Sequence, residues 1–280
     1  MKQKFQLVDV FGTGPFTGNP VAVIVDDGSL DTETMQRITQ WLNLSETTFL
    51  SPPTAPGADY RVRIFTLQRE LPFAGHPTLG TCHAWLAMGG APKQGDRIVQ
   101  ECGAGLIPIR QAGGMLAFAA PPLIRSGPVD ETKLVEVAEV LRIARSDIVD
   151  SQWVDNGPGW VGVMLESAQA VLALEPERHH AARIDIGAVG AYPPGGAADF
   201  ELRAIFSDQH GGIVEDPVTG SLNASVAQWL IGSGRAPNTY LAAQGTRLGR
   251  SGRIHVERSD DGAIWIGGRT EALFAGETGF

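Results

Sequence analysis

One stretch limits this chain more than any other: Leu71-Pro-Phe-Ala-Gly-His-Pro-Thr-Leu-Gly-Thr-Cys-His-Ala-Trp-Leu-Ala-Met88. It opens on a Pro/Gly turn and is then apolar or small on nearly every side. A helix with no polar face has to be buried all round. Its first turn presents backbone N–H groups and the positive end of the dipole inside the protein, which binds an anion where a pocket opens. A second stretch, Glu215-Asp-Pro-Val-Thr-Gly-Ser-Leu-Asn-Ala-Ser-Val-Ala-Gln-Trp-Leu-Ile231, has the same design. Two such helices each need a sheet wrapped around them.

The rest of the chain supplies strands. Thirty-five glycines and eighteen prolines are spread along 280 residues, a pattern of many short strands joined by turns. Strands are predicted at 4–10, 21–25, 44–50, 60–67, 115–119, 153–156, 160–165, 170–174, 200–207, 240–245, 252–258 and 263–267, with a hairpin over 96–110 turning at Gly103–Gly105. Met35, Ile38 and Leu42 fall at helical spacing within 31–43, with Ser29 or Asp31 as N-cap and Asn43 as the end. Leu134, Val137 and Leu141 mark a second amphipathic helix over 130–142, and a short helix over 175–183 would carry His179 and His180. The glycine-rich run from Gly12 to Pro20 is not a phosphate loop. Such a loop opens a helix, and this one opens into Val-Ala-Val-Ile-Val.

The pattern repeats. Arg63-Ile-Phe-Thr66 precedes Gly75 and a helix ending near Trp85-Leu86; Ala204-Ile-Phe-Ser207 precedes Gly220 and a helix ending near Trp229-Leu230. The expected fold is therefore α+β, with two pseudo-symmetric halves, each a curved, mostly antiparallel sheet around a central buried helix. The halves are placed at 1–112 and 113–267, with the last strand, 268–280, returning to the first. If the halves face each other, both helix N-termini point into one cleft, a favoured place for a ligand.

Charge and cysteine content exclude several classes. A net charge of −9 argues against nucleic acid as a partner. No run of 18 apolar residues is present, so no membrane span is expected, and the N-terminus reads as a strand and not as a signal peptide. Two cysteines, Cys82 and Cys102, make no disulfide framework, and a cytoplasmic location is the default. His179-His180 with Glu175 and Glu177 lacks zinc spacing, so no metal site is expected.

Four residues have the chemistry for a site, each with a plainer alternative. Glu46, flanked by the hydroxyls of Ser45 and Thr47, is either a solvated strand-start carboxylate or a base whose pKa a cleft would raise. His76, at the start of the first buried helix, is either a turn residue or a neutral imidazole that orients or relays. Asp216 either caps the turn before the second helix or presents a carboxylate. Ser221 is a natural N-cap whose hydroxyl could also meet a ligand.

Four motifs in order tie these residues together. Val8-Asp-Val-Phe11 with Gly18-Asn-Pro20, Asn43-Leu-Ser-Glu-Thr47, Pro72-Phe-Ala-Gly-His-Pro-Thr-Leu-Gly80 and Glu215-Asp-Pro-Val-Thr-Gly-Ser221 resemble the PhzF family of phenazine-biosynthesis-like isomerases. The resemblance implies a diaminopimelate-epimerase-like fold and a cofactor-independent isomerase acting on a small carboxylate. It implies that Glu46 is the catalytic acid/base, and that His76 and Asp216 assist it. Ser45 and Ser221 would line the site, while Gly75 and Gly220 begin turns whose N–H groups receive the carboxylate. It also implies a homodimer. Two-thiol racemases of the wider fold would carry cysteines near Ala74 and Asp216, and neither position is Cys here. An epimerase using carboxylates in place of thiols, and a binding protein without turnover, are the alternatives.

Overall fold

The computed structural model describes residues 2–95 and 97–279. Asp96, where the 96–110 hairpin was expected to open, lies outside them. The chain forms two units, Met1–Ala119 with Gly267–Phe280, and Ala120–Ile266.

In the first unit β1 (Lys4–Val10) and β2 (Asn19–Val25) are antiparallel neighbours. Helix α1 (Thr32–Leu42) then crosses to β3 (Glu46–Ser51), which runs parallel to β2. The amphipathic spacing of α1 buries Met35 against Ile24, Phe49 and Phe65. Asp31 caps the helix by accepting from the backbone N–H of Thr34, and Asn43 ends it in the left-handed conformation. Strand β4 (Tyr60–Thr66) is antiparallel to β3, and the short β5 (Glu70–Leu71) is antiparallel to β4. The buried helix α2 (Gly75–Ala87) follows, then β6 (Arg97–Cys102) parallel to β4, and the antiparallel β7 (Gly105–Ala112) and β8 (Met115–Ala119).

The second unit opens with β9 (Arg125–Gly127) and α3 (Glu131–Leu141), and then repeats the first. Strands β10 (Asp150–Asp155) and β11 (Val161–Met164) are antiparallel, and α4 (Ala168–Ala173) leads to β12 (Asp185–Ala191), parallel to β11. Strand β13 (Phe200–Ser207) is antiparallel to β12 and β14 (Ile213–Asp216) to β13. Helix α5 (Gly220–Gly232) precedes β15 (Thr239–Gln244), parallel to β13, and β16 (Gly252–Arg258), antiparallel to β15. The unit ends within β17 (Ile264–Gly268), at Ile266. The last strand, β18 (Thr270–Glu277), belongs to the first unit, antiparallel to β1. From β1 to β7 and from β10 to β16, element order and strand sense are the same, which is the internal duplication in three dimensions.

Each buried helix is admitted by a missing side chain. On α2 it is Gly80, where a Cβ would lie 2.3 Å from Val21 Cγ1 and 3.2 Å from Val10 Cγ2. In the second unit the glycine sits on the strand: a Cβ on Gly187 would lie 2.2 Å from Leu222 Cδ1 of α5. Polar groups of both helices are met by a glutamine on the equivalent strand. Gln100 of β6 donates to the Thr78 hydroxyl (2.9 Å), and Gln244 of β15 accepts from the Asn223 amide (2.8 Å). A buried polar group left without such a partner would cost about 1–3 kcal/mol.

Several expectations change. Of residues 170–174, read as a strand, 170–173 belong to α4 and Leu174 is its C-cap; the start of α4 is capped by Ser167 accepting from Ala170 N–H. The predicted helix over 175–183 is absent. This segment is irregular, and His179 makes an isolated antiparallel bridge to Gly212. Strand β12 was not foreseen, because Asp-Ile-Gly-Ala-Val-Gly-Ala has few β-branched residues. The first unit extends past residue 112 to Ala119, because the turn at Gly113–Gly114 folds β8 back onto β7. Among the described residues no helix is long and apolar enough to cross a membrane.

Candidate active site

Helices α1, α3 and α4 each begin with a side-chain cap, supplied by Asp31, Asp130 and Ser167. The two buried helices do not. The N-cap of α2 is Ala74, which has no capping group. The N-cap of α5 is Thr219, and its hydroxyl donates instead to Asp216 Oδ2 at 2.6 Å. So Ser221 is not the cap expected from sequence. It is the second residue of α5, as His76 is of α2. The backbone N–H groups of Gly75 and His76 in one unit, and of Gly220, Ser221 and Leu222 in the other, head helices that no side chain closes. Pro77 contributes none, since proline has no N–H.

In the first unit the start of α2 meets the start of β3. Glu46 pairs in register with Val21 of β2 and Thr66 of β4, so its backbone is held from both sides. Its Oε2 lies 3.4 Å from His76 Nε2. That is long for a hydrogen bond, and contacts of this kind in unliganded sites tighten when substrate binds. His76 is 3% exposed. Burial pushes its imidazole down to about 3, with a smaller opposing effect from the Pro20 backbone carbonyl. The ring is therefore neutral at physiological pH. Its Nδ1 lies 3.2 Å from the amide nitrogen of Asn19, a residue the sequence reading gave no role. Ser45 directly precedes Glu46 at the mouth of β3, and Thr47 is buried.

In the second unit Asp216 ends β14 and is nine-tenths buried. Gln244 holds the turn between Asp216 and α5, donating to Asp216 O (3.1 Å) and Thr219 Oγ1 (3.0 Å) and accepting from Thr219 N–H (3.0 Å). The Ser221 hydroxyl accepts from Trp160 Nε1 at 3.4 Å, and its carbonyl accepts from Asn156 Nδ2 at 2.8 Å.

The remaining candidates have other surroundings. Cys82 is fully buried in α2 with its thiol pushed up to about 12, and burial likewise raises Cys102, so neither is an activated nucleophile. His180 Nε2 lies 3.2 Å from Glu136 on α3, which Lys133 also pairs. An open groove of about 720 Å³ beside Arg142, Glu166 and Glu175 involves none of the expected site residues.

Comparison with known proteins gives this geometry a family. The phenazine biosynthesis-like (PhzC-PhzF) family model matches residues 8–276. The trans-2,3-dihydro-3-hydroxyanthranilate isomerase of Pseudomonas aeruginosa is 35% identical over 95% of this chain and 98% of its own. The antisense-enhancing sequence 1 protein of Schizosaccharomyces pombe is 33% identical over 99% of both chains. A PhzF-family phenazine biosynthesis protein from Enterococcus faecalis superposes with a TM-score of 0.79 at 23% identity over 100% of both chains, a likeness of fold. The chain belongs to the PhzC-PhzF family and is an isomerase of the PhzF type.

Proposed function

We propose that this protein moves a proton, and with it a double bond, within a small carboxylate substrate, using Glu46 as the single base and no cofactor. The observation that carries the reading is the placement of Glu46 against a buried, neutral His76 at the uncapped start of α2. A carbon acid conjugated to a carboxylate needs a base for its proton and donors for the charge that develops on oxygen. Glu46 is the base. The Gly75 and His76 N–H groups are donors fixed before the reaction begins, the arrangement that stabilises charge at least cost in reorganisation. The dipole of α2 adds about 0.3–1 kcal/mol when exposed and up to about 2 when partly buried, which orients a ligand but does not replace the base. The proton taken from one carbon returns from Glu46 to another, so the substrate is neither oxidised nor reduced.

The start of α5 is built the same way and is a second carboxylate-holding end, with Gly220 N–H and Ser221 as its donors. Asp216, fixed by Thr219 and Gln244, is an acceptor for a substrate hydroxyl or amine. The isomerase relatives point to trans-2,3-dihydro-3-hydroxyanthranilate as the first compound to test.

The experiment follows that compound by NMR in heavy water with wild-type protein and Glu46→Gln. Turnover with a shifted double bond, reduced by at least about 10²-fold in the variant, is the expected result. Undiminished turnover in Glu46→Gln would remove Glu46 as the base. Deuterium at one stereocentre with unchanged bond positions would make the enzyme an epimerase.

A further inference from the structure

Asn19 is fully buried at the first residue of β2, opposite Val10 of β1. Its amide nitrogen lies 3.2 Å from His76 Nδ1. An amide nitrogen only donates, and a neutral imidazole carries one N–H. With Nδ1 accepting from Asn19, that proton sits on Nε2, the nitrogen that faces Glu46 Oε2. We infer that Asn19 is a positioning residue that fixes His76 as a hydrogen-bond donor toward Glu46.

The consequence lies in what His76 is then unable to do. Its one basic nitrogen is turned to Asn19, so the ring has no lone pair for a proton held by Glu46. A proton that Glu46 removes from substrate is therefore not passed to His76. In the other tautomer Nε2 would face Glu46 as an acceptor, and the proton would have a second place to go. The inference rests on the reading of Glu46 as the base.

In the second unit an asparagine also reaches the second residue of the buried helix, there through the backbone. Asn156, in the connection between β10 and β11, donates to the carbonyl of Ser221. Asn19 belongs to the corresponding strand pair, β1 and β2. His76 and Ser221 are both the second residue of the buried helix in their unit.

The test is nitrogen-15 NMR of histidine-labelled protein at neutral pH, with the His76 signals identified by their loss in His76→Asn. Wild type is expected in the Nε2–H form. Asn19→Asp keeps the shape but offers only acceptors, so the ring is expected to switch to Nδ1–H. Asn19→Ala removes the donor without adding charge and is expected to give a mixture. An Nδ1–H ring in wild type overturns the inference, and so does an unchanged tautomer in either folded variant. The wild-type spectrum decides even if Asn19→Asp does not fold. With trans-2,3-dihydro-3-hydroxyanthranilate, kcat in Asn19→Ala should fall about 10–100-fold with KM little changed. A switched tautomer with unchanged kcat would show that the ring's orientation has no part in turnover, and would overturn it too. The NMR result does not depend on turnover, so its failure leaves the Glu46 reading intact, and failure of Glu46→Gln to slow the reaction leaves the tautomer result standing.

Discussion

Gly80 joins the packing of α2 to the position of Glu46, and replacing it tests both. An alanine there puts a methyl group 2.3 Å from Val21 Cγ1, where carbon atoms normally stand about 3.5–4.0 Å apart. Valine is stiff about χ1, so it does not swing aside, and β2 has to move by about 1 Å or more. Overpacking of this kind costs about 1–3 kcal/mol, against a gain of about 1 kcal/mol for alanine over glycine in a helix. This clash is at the severe end, so Gly80→Ala should lose about 1–2 kcal/mol net. Val21→Ala alone removes two buried carbons and leaves a cavity, a loss of about 2 kcal/mol. In the double variant the new methyl enters the space the old ones left. Its loss should fall at least about 1.5 kcal/mol below the sum of the two singles, within the range of couplings between residues in contact. Urea unfolding of the four proteins measures the cycle. Val21 is also the register partner of Glu46, so isomerase turnover should drop in Gly80→Ala and recover in part in the double variant. Additive losses would mean that α2 does not rest on β2 at this point, and the account of how Glu46 is held would fall with it.

Two further outcomes follow from buried charge. His76 has a folded pKa near 3, below the unfolded value of 6.5. Below about pH 6.5 the unfolded chain takes up a proton that the folded chain refuses, so this contribution is complete above that pH and is lost as pH falls toward 3. The loss is roughly 2 kcal/mol between pH 6.5 and 5. His76→Asn should lack it, and parallel urea curves for the two proteins at both pH values would refute the assignment. Arg203 holds Glu215 through two hydrogen bonds (2.7 and 3.0 Å) and donates to the Val171 and Leu174 carbonyls at the end of α4. Removing one partner of a buried pair strands the other, so Arg203→Met should cost about 3–5 kcal/mol, and Arg203→Met with Glu215→Leu much less. Equal losses in urea unfolding would rule out the pair as the cause.

The sequence made the fold legible where a face was one-sided or wholly apolar. The spacing of Met35, Ile38 and Leu42 located α1, and the absence of a polar face located α2 and α5. It failed where the signal was short. Ala-Gln-Ala-Val-Leu-Ala of α4 is six residues, too few to separate a buried helix from a strand by periodicity. Carried further, the repeat would have found α4, since α1 holds the same place between the second and third strands of its unit. It would have found β12 as the counterpart of β3. The site was legible as residue types but not as contacts. Glu46 and His76 are thirty positions apart, and Asn19 lies farther still from His76, so only the folded sheet brings them together. Ser221 does not cap α5 because Thr219 takes the N-cap position and turns its hydroxyl to Asp216.

The open starts of α2 and α5 set this protein apart from what selection for robustness would produce. A side-chain cap is worth about 1 kcal/mol, and the other α-helices have one. A laboratory screen rewarding heat tolerance alone should therefore drift toward Ala74→Ser or Ala74→Asp, which would occupy the open N–H groups of α2. On the proposed role of the α2 start, stabilised descendants of this chain should lose turnover first at residue 74, a position that does no chemistry itself, because a cap there would take the N–H groups proposed to hold substrate.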